Sequence, residues 1–530
     1  MSRPEHWKAS SSRIAASIRN DNRVRAQCRH LARGFALLAL VGAAACSSPA
    51  PAAPTSAPAA APTTAPAAAA SVAPAASAAP AASAAPAASP ATGASPSPLA
   101  SASLVPSPSP VGGVNSTGAA APAAAAAANL SVSLAGKCGL GNGQKATGTP
   151  INVGAIVTKQ PGVDFTDITN TAMAYFQCVN DNGGINGHPV NYLVENEQTN
   201  AQQVAALATK LTQDEKVVAL VGSASLIDCA VNHQFYEQNN FNVIAAGVPY
   251  ECFNTPNIAA VNMGPYYSTL GAAQYLARQG VKQWVTVSGN APGADHDNSG
   301  PASFAKMQGG ITDNGVYLEN TPIEDANSLV LQLVQAAGQG GGVIINLTPP
   351  EGLKILQAAQ QQGLIDQVSW AWSTPGNDAS VAQALDSSWN GKLGINAELN
   401  LIDSTGPSNT LYQQVVKQYV PNTPLGSFGQ MGFLAADIFT KTALQLPEDQ
   451  LTAQGVNAAI RQIKDYQTDL LCKPWYFGDL PYHVPNNWDR TVGPQDRKMV
   501  QKEDCFEIAA IPESNLTQIR QAEQQMGMAQ

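Results

Sequence analysis

The sequence predicts an α/β protein built as two doubly wound parallel-sheet lobes, on three observations. Short, almost wholly apolar runs such as Lys216–Val221 alternate with helix-length segments, as strands buried on both faces of a parallel sheet do. The alternation runs through one set of roughly four strands, pauses near Asn262–Tyr267, and then begins again. Several of the apolar runs stop at small residues: Gly222-Ser223-Ala224-Ser225 after the Lys216 run and Gly247 after Val243–Ala246. Strands that end side by side in such turns form the crevice where open α/β sheets bind ligands, so Lys216–Tyr250 reads as half of a small-molecule site.

In chain order, residues 1–33 carry eight Lys and Arg against Glu5 and Asp21, and Gly34–Ala45 is apolar. A basic stretch, a short apolar core and small residues before a cleavage point are the parts of an export signal, here 1–45. Twelve residues rise about 18 Å as a helix, short of the roughly 20 residues a membrane span needs. Residues 46–130 are almost entirely Ala, Pro, Ser, Thr and Gly, with no charged side chain. Such a tract buries no core, and its prolines favour extended conformations. It reads as a disordered tether reaching on the order of 200 Å, at about 3.1 Å per residue.

After a leader at 131–149, Ile151–Ile156 is the first strand, and a helix follows near Thr166–Asn180, ended by Gly183-Gly184. Val190–Glu195 is the second strand, and Asn200 is positioned to cap a helix over Ala201–Leu211. Lys216–Val221, a helix around Val231–Gln238 and the strand Val243–Ala246 complete the first set. The second set has a helix at Thr269–Arg278, strand Trp284–Val287, a helix near Pro301–Asp313, a strand around Val316–Leu318 and a helix at Leu329–Ala337. Strand Val343–Leu347, helix Glu351–Gln362 and strand Val368–Trp372 close it. Two such sets imply two lobes with a ligand between them, where hinge closure buries it.

Residues 131–530 carry a net charge of −15, which argues against nucleic acid or an anionic membrane surface as partner. Six cysteines fall in this part: Cys138, Cys178, Cys229, Cys252, Cys472 and Cys505. In an exported domain they are expected to be structural. Proximity suggests 138–178, 229–252 and 472–505, while spacing alone leaves other pairings open. No zinc-ligand spacing occurs, and no metal or cofactor is expected.

Several motifs fail. Gly222-Ser223-Ala224-Ser225-Leu226 lacks the order and final glycine of a nucleophile elbow. Asp295–Gly300 opens like a calcium loop, but its twelfth position is Lys306 rather than glutamate. Gly338–Gly342 precedes a strand, the wrong order for a dinucleotide turn. The six histidines are scattered. No motif supports catalysis, so the chain is not read as an enzyme; Gly289–Gly300 reads instead as a segment beside the cleft.

Two resemblances add to this. Ala43-Ala44-Ala45-Cys46 resembles the lipobox of bacterial lipoproteins, with Ala43 where leucine is usual; it implies a lipid on Cys46, with simple Ala-x-Ala cleavage the alternative. Asn180-Asp181-Asn182-Gly183-Gly184-Ile185-Asn186-Gly187, then Glu195–Gln202 and Asp214–Gly222, resemble the type I periplasmic solute-binding proteins typified by the leucine/isoleucine/valine-binding protein. The resemblance spans about Ile151 to Phe506.

It implies a three-crossing hinge, near 263–268, 392–400 and 465–470. Lobe one would be 150–265 and 395–465, lobe two 266–394 and 466–510, with 511–530 a C-terminal tail. It further implies a monomeric solute receptor that hands its ligand to the permease and ATPase subunits of an ABC importer, held at the outer face of the cytoplasmic membrane by its lipid. A sensory receptor of the same fold is the alternative. By the resemblance Ser225, with Ser223 beside it, would hold a ligand carboxylate, although Ser225 also suits a helix cap. Gly247, Tyr250 (beside Pro249, where the family has threonine) and Phe165 would complete the lobe-one face. The family's ammonium-pairing acid falls near Thr374, which leans the expected solute towards a carboxylate, amide or aromatic compound; Glu351 could substitute, but its place at a helix start, favoured by the dipole, is explanation enough.

Overall fold

The computed structural model describes residues 130–478 and 480–528. The export signal, Cys46 and nearly all of the tether lie outside them. The first sheet contains β1 (Ile151–Gln160), β2 (Val163–Asp164), β3 (Val190–Glu197), β4 (Leu220–Ser223), β5 (Val243–Ala245) and β6 (Ile258–Ala260). Its parallel strands run β3-β1-β4-β5-β6, and β2 folds back antiparallel on the end of β1. The second sheet contains β7 (Gln283–Gly289), β8 (Thr312–Glu319), β9 (Gly342–Asn346), β10 (Ser369–Trp372), β11 (Leu393–Ala397), β12 (Trp488–Gln495) and β13 (Lys498–Glu507). It runs β8-β7-β9-β10-β11-β12-β13, with β12 and β13 antiparallel. Each sheet thus has five parallel strands in the same doubly wound order. The order reverses at β1/β4 in one and β7/β9 in the other, and ligands bind at such switch points.

Most of the parallel strands lie where the apolar runs predict, with shifts that have local causes, while β2, β6, β11, β12 and β13 fall outside the expected strands. β4 begins at Leu220 rather than Lys216, because Lys216 adopts φ 52° as it leaves a π-turn at Lys210–Asp214. Val217–Val221 are nonetheless all buried. The helix expected to reach Asp313 is Gly300–Gln308; Gly309 and Gly310, both at φ 67°, end it and free Thr312 to start β8.

The longest helix, Ser427–Ala443, has every residue buried except Phe428, as expected of a helix embedded on all sides. It packs on the helix Thr166–Asp181 of lobe one. Its Lys441 pairs with Asp437 at 2.8 Å, and Asp437 also accepts from the hydroxyls of Tyr175 and Tyr466. A buried carboxylate survives only with such partners.

The lobe boundaries differ from those the resemblance implies. β11 belongs to the second sheet, so the second crossing comes after Ala397. The third lies near 484–487 rather than 465–470. Tyr466 and Trp475 exchange backbone hydrogen bonds, and the Trp475 indole donates to the carbonyl of Ala260, which holds this stretch on lobe one. Nor is 511–530 a simple tail: Leu516–Gln525 is a helix with Leu516 and Ile519 fully buried, and its Glu523 accepts from Lys473 and Tyr476.

The three crossings are bound to one another. Asn486 donates to the carbonyls of Val261 (3.1 Å) and Glu398 (3.3 Å), and the Glu398 carboxyl accepts from the N–H of Met263. Beneath them, a Cβ on Gly271 would lie 1.9 Å from Asn396 Oδ1 and 2.6 Å from Asp489 Oδ2, so only glycine lets the first helix of lobe two approach this knot.

The cysteines pair as 138–178, 229–252 and 472–505. The last joins the stretch before the third crossing to β13, closing a loop with a sequence separation of 33. Replacing both Cys472 and Cys505 by serine is expected to cost about 2–4 kcal/mol, measured by urea unfolding under oxidising conditions. An unchanged midpoint would show that the bridge does not constrain the unfolded chain.

Candidate functional site

The carboxyl ends of both sheets face one cavity of about 140 Å³. Lobe one contributes Val163, Phe165 and Ile168 from the β1–β2 hairpin and the helix after it, Leu226 after β4, and Ala246, Gly247 and Val248 after β5. Phe428 and Met431 come from the buried helix, and the Phe428 ring stands edge-on to Phe165 at 5.5 Å. Lobe two contributes Ser288 at the end of β7, Asp297 and Asn298 after it, Asn346 at the end of β9 and Leu347 after it. Asn262, Ser268, Thr374 and Glu398 form the floor, all at or beside the crossings.

The lobes meet across this cavity. The Thr348 hydroxyl of lobe two donates to the carbonyl of Gly162 at 3.3 Å, and Ser427 of lobe one donates to the carbonyl of Thr374 at 3.0 Å. Backbone bonds link Ser427 to Asn377 and Ala379 to Leu425. This is a closed clamp.

Of the residues singled out from sequence, Phe165, Gly247 and Thr374 line the cavity. Tyr250 does not line it: half exposed, it lines a separate small pocket with its ring 4.4 Å from that of His296 on lobe two. Ser223 and Ser225 face elsewhere. Ser223 Oγ accepts from the N–H of Ile156 at 3.1 Å. Ser225 Oγ accepts from the N–H groups of Ile227 (3.1 Å) and Asp228 (2.9 Å) at the start of the helix Asp228–Gln238, and donates to the buried Glu197 at 2.8 Å. In this loop the helix-cap reading of Ser225 describes the geometry. The Leu226 N–H is taken by the Thr158 hydroxyl and that of Ala224 by the carbonyl of Ile156. Glu351 accepts from the N–H of Ile323 and pairs with Lys354 at 2.9 Å, away from the cavity.

Sequence reasoning missed the two acids that do line the cavity. Glu398 directly follows the apolar run Leu393–Ala397, the placement that marks the mouth of a parallel sheet, and that was its available signal. Asp297 lies within the segment read as flanking the cleft. Burial raises the Glu398 carboxyl to about 8, with the Met263 N–H and the Thr374 hydroxyl opposing. Burial also raises Asp297, partly offset by His296. Behind the floor, burial and then the nearby Glu398 hold Asp489 well above the usual range.

Comparison with known proteins fits this geometry. The sequence profile of the periplasmic binding protein family matches residues 150–487. The chain belongs to that family. None of the curated proteins compared matches it in sequence. Among solved structures, it resembles a branched-chain amino acid ABC transporter protein from Thermus thermophilus with bound valine. That match has a TM-score of 0.61 at 15% identity over 69% of this chain and 98% of the other. A fatty acid ABC transporter substrate-binding protein from Thermomonospora curvata matches at 0.57 and 17%, covering 70% and 95%. A solute-binding protein of an ABC transporter from R. palustris, in complex with benzoate, matches at 0.55 and 15%, covering 69% and 98%. This periplasmic binding protein therefore shares the two-lobed clamp and binds solute as its family does, and its family places it among exported proteins.

Two outcomes follow. Ser225→Ala removes a cap and one donor to Glu197, so it is expected to lower stability by about 1–2 kcal/mol with solute affinity unchanged; weakened affinity at full stability would instead put the hydroxyl on the ligand. Glu398 concerns pH. Its folded value of about 8 lies above an ordinary 4.5, so the folded state keeps a proton that the unfolded chain releases. That contribution is complete below pH 4.5 and is lost as pH rises through 8, at up to about 1.4 kcal/mol per pH unit. Urea unfolding from pH 5 to 8 should therefore show a smaller loss of stability in Glu398→Gln than in the parent; equal slopes would show that Glu398 ionises freely.

Proposed function

We propose that this protein is the extracytoplasmic solute-binding component of an ABC importer. It clamps one small solute with an apolar body between its lobes and delivers it to membrane permease and ATPase subunits. The observation that carries this is a single cavity bounded by the switch-point loops of both sheets and closed by cross-lobe hydrogen bonds. Binding energy realised only when both lobes touch the solute shifts the open–closed equilibrium towards closure, which is the signal an importer can read. The cavity is close in size to one of about 150 Å³ that holds benzene, and most of its wall is aliphatic or aromatic. Valine, a fatty acid and benzoate, named with the similar structures, are all compounds with an apolar body.

The tether and a lipid on Cys46 would hold the clamp near its permease while leaving it free to search for solute. One lipid chain gives reversible membrane attachment. In this reading the protein binds and releases its solute unchanged, as a monomer.

A thermal-shift screen of the purified protein against pools of amino acids, amides, amines, organic acids and sugars tests the proposal. A saturable hit should raise the melting point, by about 2.7 kcal/mol of stabilisation at 100-fold over Kd. Gly162→Ala supplies the mechanistic control. Its Cβ would lie 2.5 Å from Thr321 Cβ and 2.7 Å from Pro322 N across the cleft, so closure is blocked and affinity should fall at least about tenfold. Silence from every pool, or full affinity in Gly162→Ala, would contradict the clamp.

A further inference from the structure

The cavity holds two buried acids, Glu398 and Asp297, and among the described residues no Lys, Arg or His lines it. Each of its asparagine amides gives one hydrogen bond to the protein: Asn262 to the carbonyl of Gly247 at 2.8 Å, Asn298 to that of Ala294 at 2.7 Å, and Asn346 to Asn298 Oδ1 at 2.9 Å. The Thr348 hydroxyl is bonded to Gly162, and those of Ser268 and Thr374 lie 2.8 Å apart. The Gly247 N–H gives to Asn262 Oδ1, and the loop after β4 spends its N–H groups on the hydroxyls of Thr158 and Ser225. A carboxylate entering here would find neutral donors, the hydroxyls of Ser288 and Thr321 among them, and no cationic side chain among the described residues, with two acids already present. Burying a charge without a partner is costly.

Resting on the solute-binding reading above, we infer that the solute presents a cationic amine rather than a carboxylate, and that Glu398 on the cavity floor receives it. Glu398 is 1% exposed, so an ammonium meeting it is desolvated and strongly held. Its backbone anchor on Met263 fixes it beside the first and second crossings, so the contact forms where closure is governed. Asp297, on the lobe-two wall, supplies a second acceptor. The apolar wall from Phe165, Leu226 and Phe428 takes the solute's aliphatic or aromatic body.

Amine binding would ionise Glu398 and release a proton. The charged groups around it are Asp297 in the same cavity and Asp489 on β12 behind it, with Arg490 next along that strand turned to Asn400 and Cys472. Affinity should accordingly fall as pH drops below about 8.

The test uses matched probes on the whole protein: isoamylamine against isovalerate, benzylamine against benzoate, and valine as the zwitterion. The amines should raise the melting point saturably, at least about tenfold tighter than their acids, and calorimetry in two buffers of different ionisation enthalpy should register proton release. Glu398→Gln should weaken the amines by at least about tenfold, with Asp297→Asn as the second variant should the first fail to fold. Binding of the acids or valine without the amines would overturn the inference and leave solute binding intact. Amine binding without proton release, or undiminished in both variants, would overturn it as well. Silence from these probes and from the broad pools together would remove both readings.

Discussion

Three crossings between two lobes make a usable hinge only if they move as one, and in this protein a single buried knot joins them. Asn486 of the third crossing donates to backbone carbonyls of the first and second, while the carboxyl of Glu398 on the second takes a backbone N–H of the first. These groups sit in a low-dielectric interior where an unmet partner is costly. Flexing one strand alone would break bonds in the other two, so bending is confined to concerted rotation of the lobes. Gly271 is the steric condition for the arrangement, since a side chain there would occupy the space of Asn396 and Asp489.

The same knot shapes the site. Because the sheets share one winding order, their switch points face each other across the hinge, and the loops that follow the strands become the walls of one cavity. The floor is the hinge itself, with Ser268, Thr374 and Glu398 reaching into the cavity from the crossings. A solute on that floor touches the residues that set the angle between the lobes. Binding and closure are thus coupled by contact rather than through a distant relay.

Much of this was legible in the sequence. The paired sets of apolar runs predicted four strands of each sheet, and the small-residue stops located their ligand-facing ends; Phe165, Gly247 and Thr374 do reach the cavity. The resemblance of Asn180–Gly187 to a known turn agrees with the family match over 150–487. What was not legible depends on where side chains point after folding. Ser223 and Ser225 stand in the expected loop, yet their hydroxyls satisfy Ile156 and the following helix instead of facing the cleft. Glu398 follows β11, a stretch the sequence reads as a crossing rather than a strand, and the tertiary fold brings it beside Thr374. The third crossing was misplaced because Trp475 and Tyr466 hold a featureless stretch on lobe one through contacts far apart in sequence.

The account's central claim is that this structure is the closed state of a clamp whose lobes part when solute leaves. The most direct measurement is the distance between spin labels introduced at exposed positions on opposite lobes, Asn239 and Gln332, by pulsed electron paramagnetic resonance. With saturating solute the account predicts one narrow distribution at the separation of the closed structure, and without it a longer, broader one. An identical distribution in both conditions would contradict it, leaving a rigid two-lobed protein in place of a clamp.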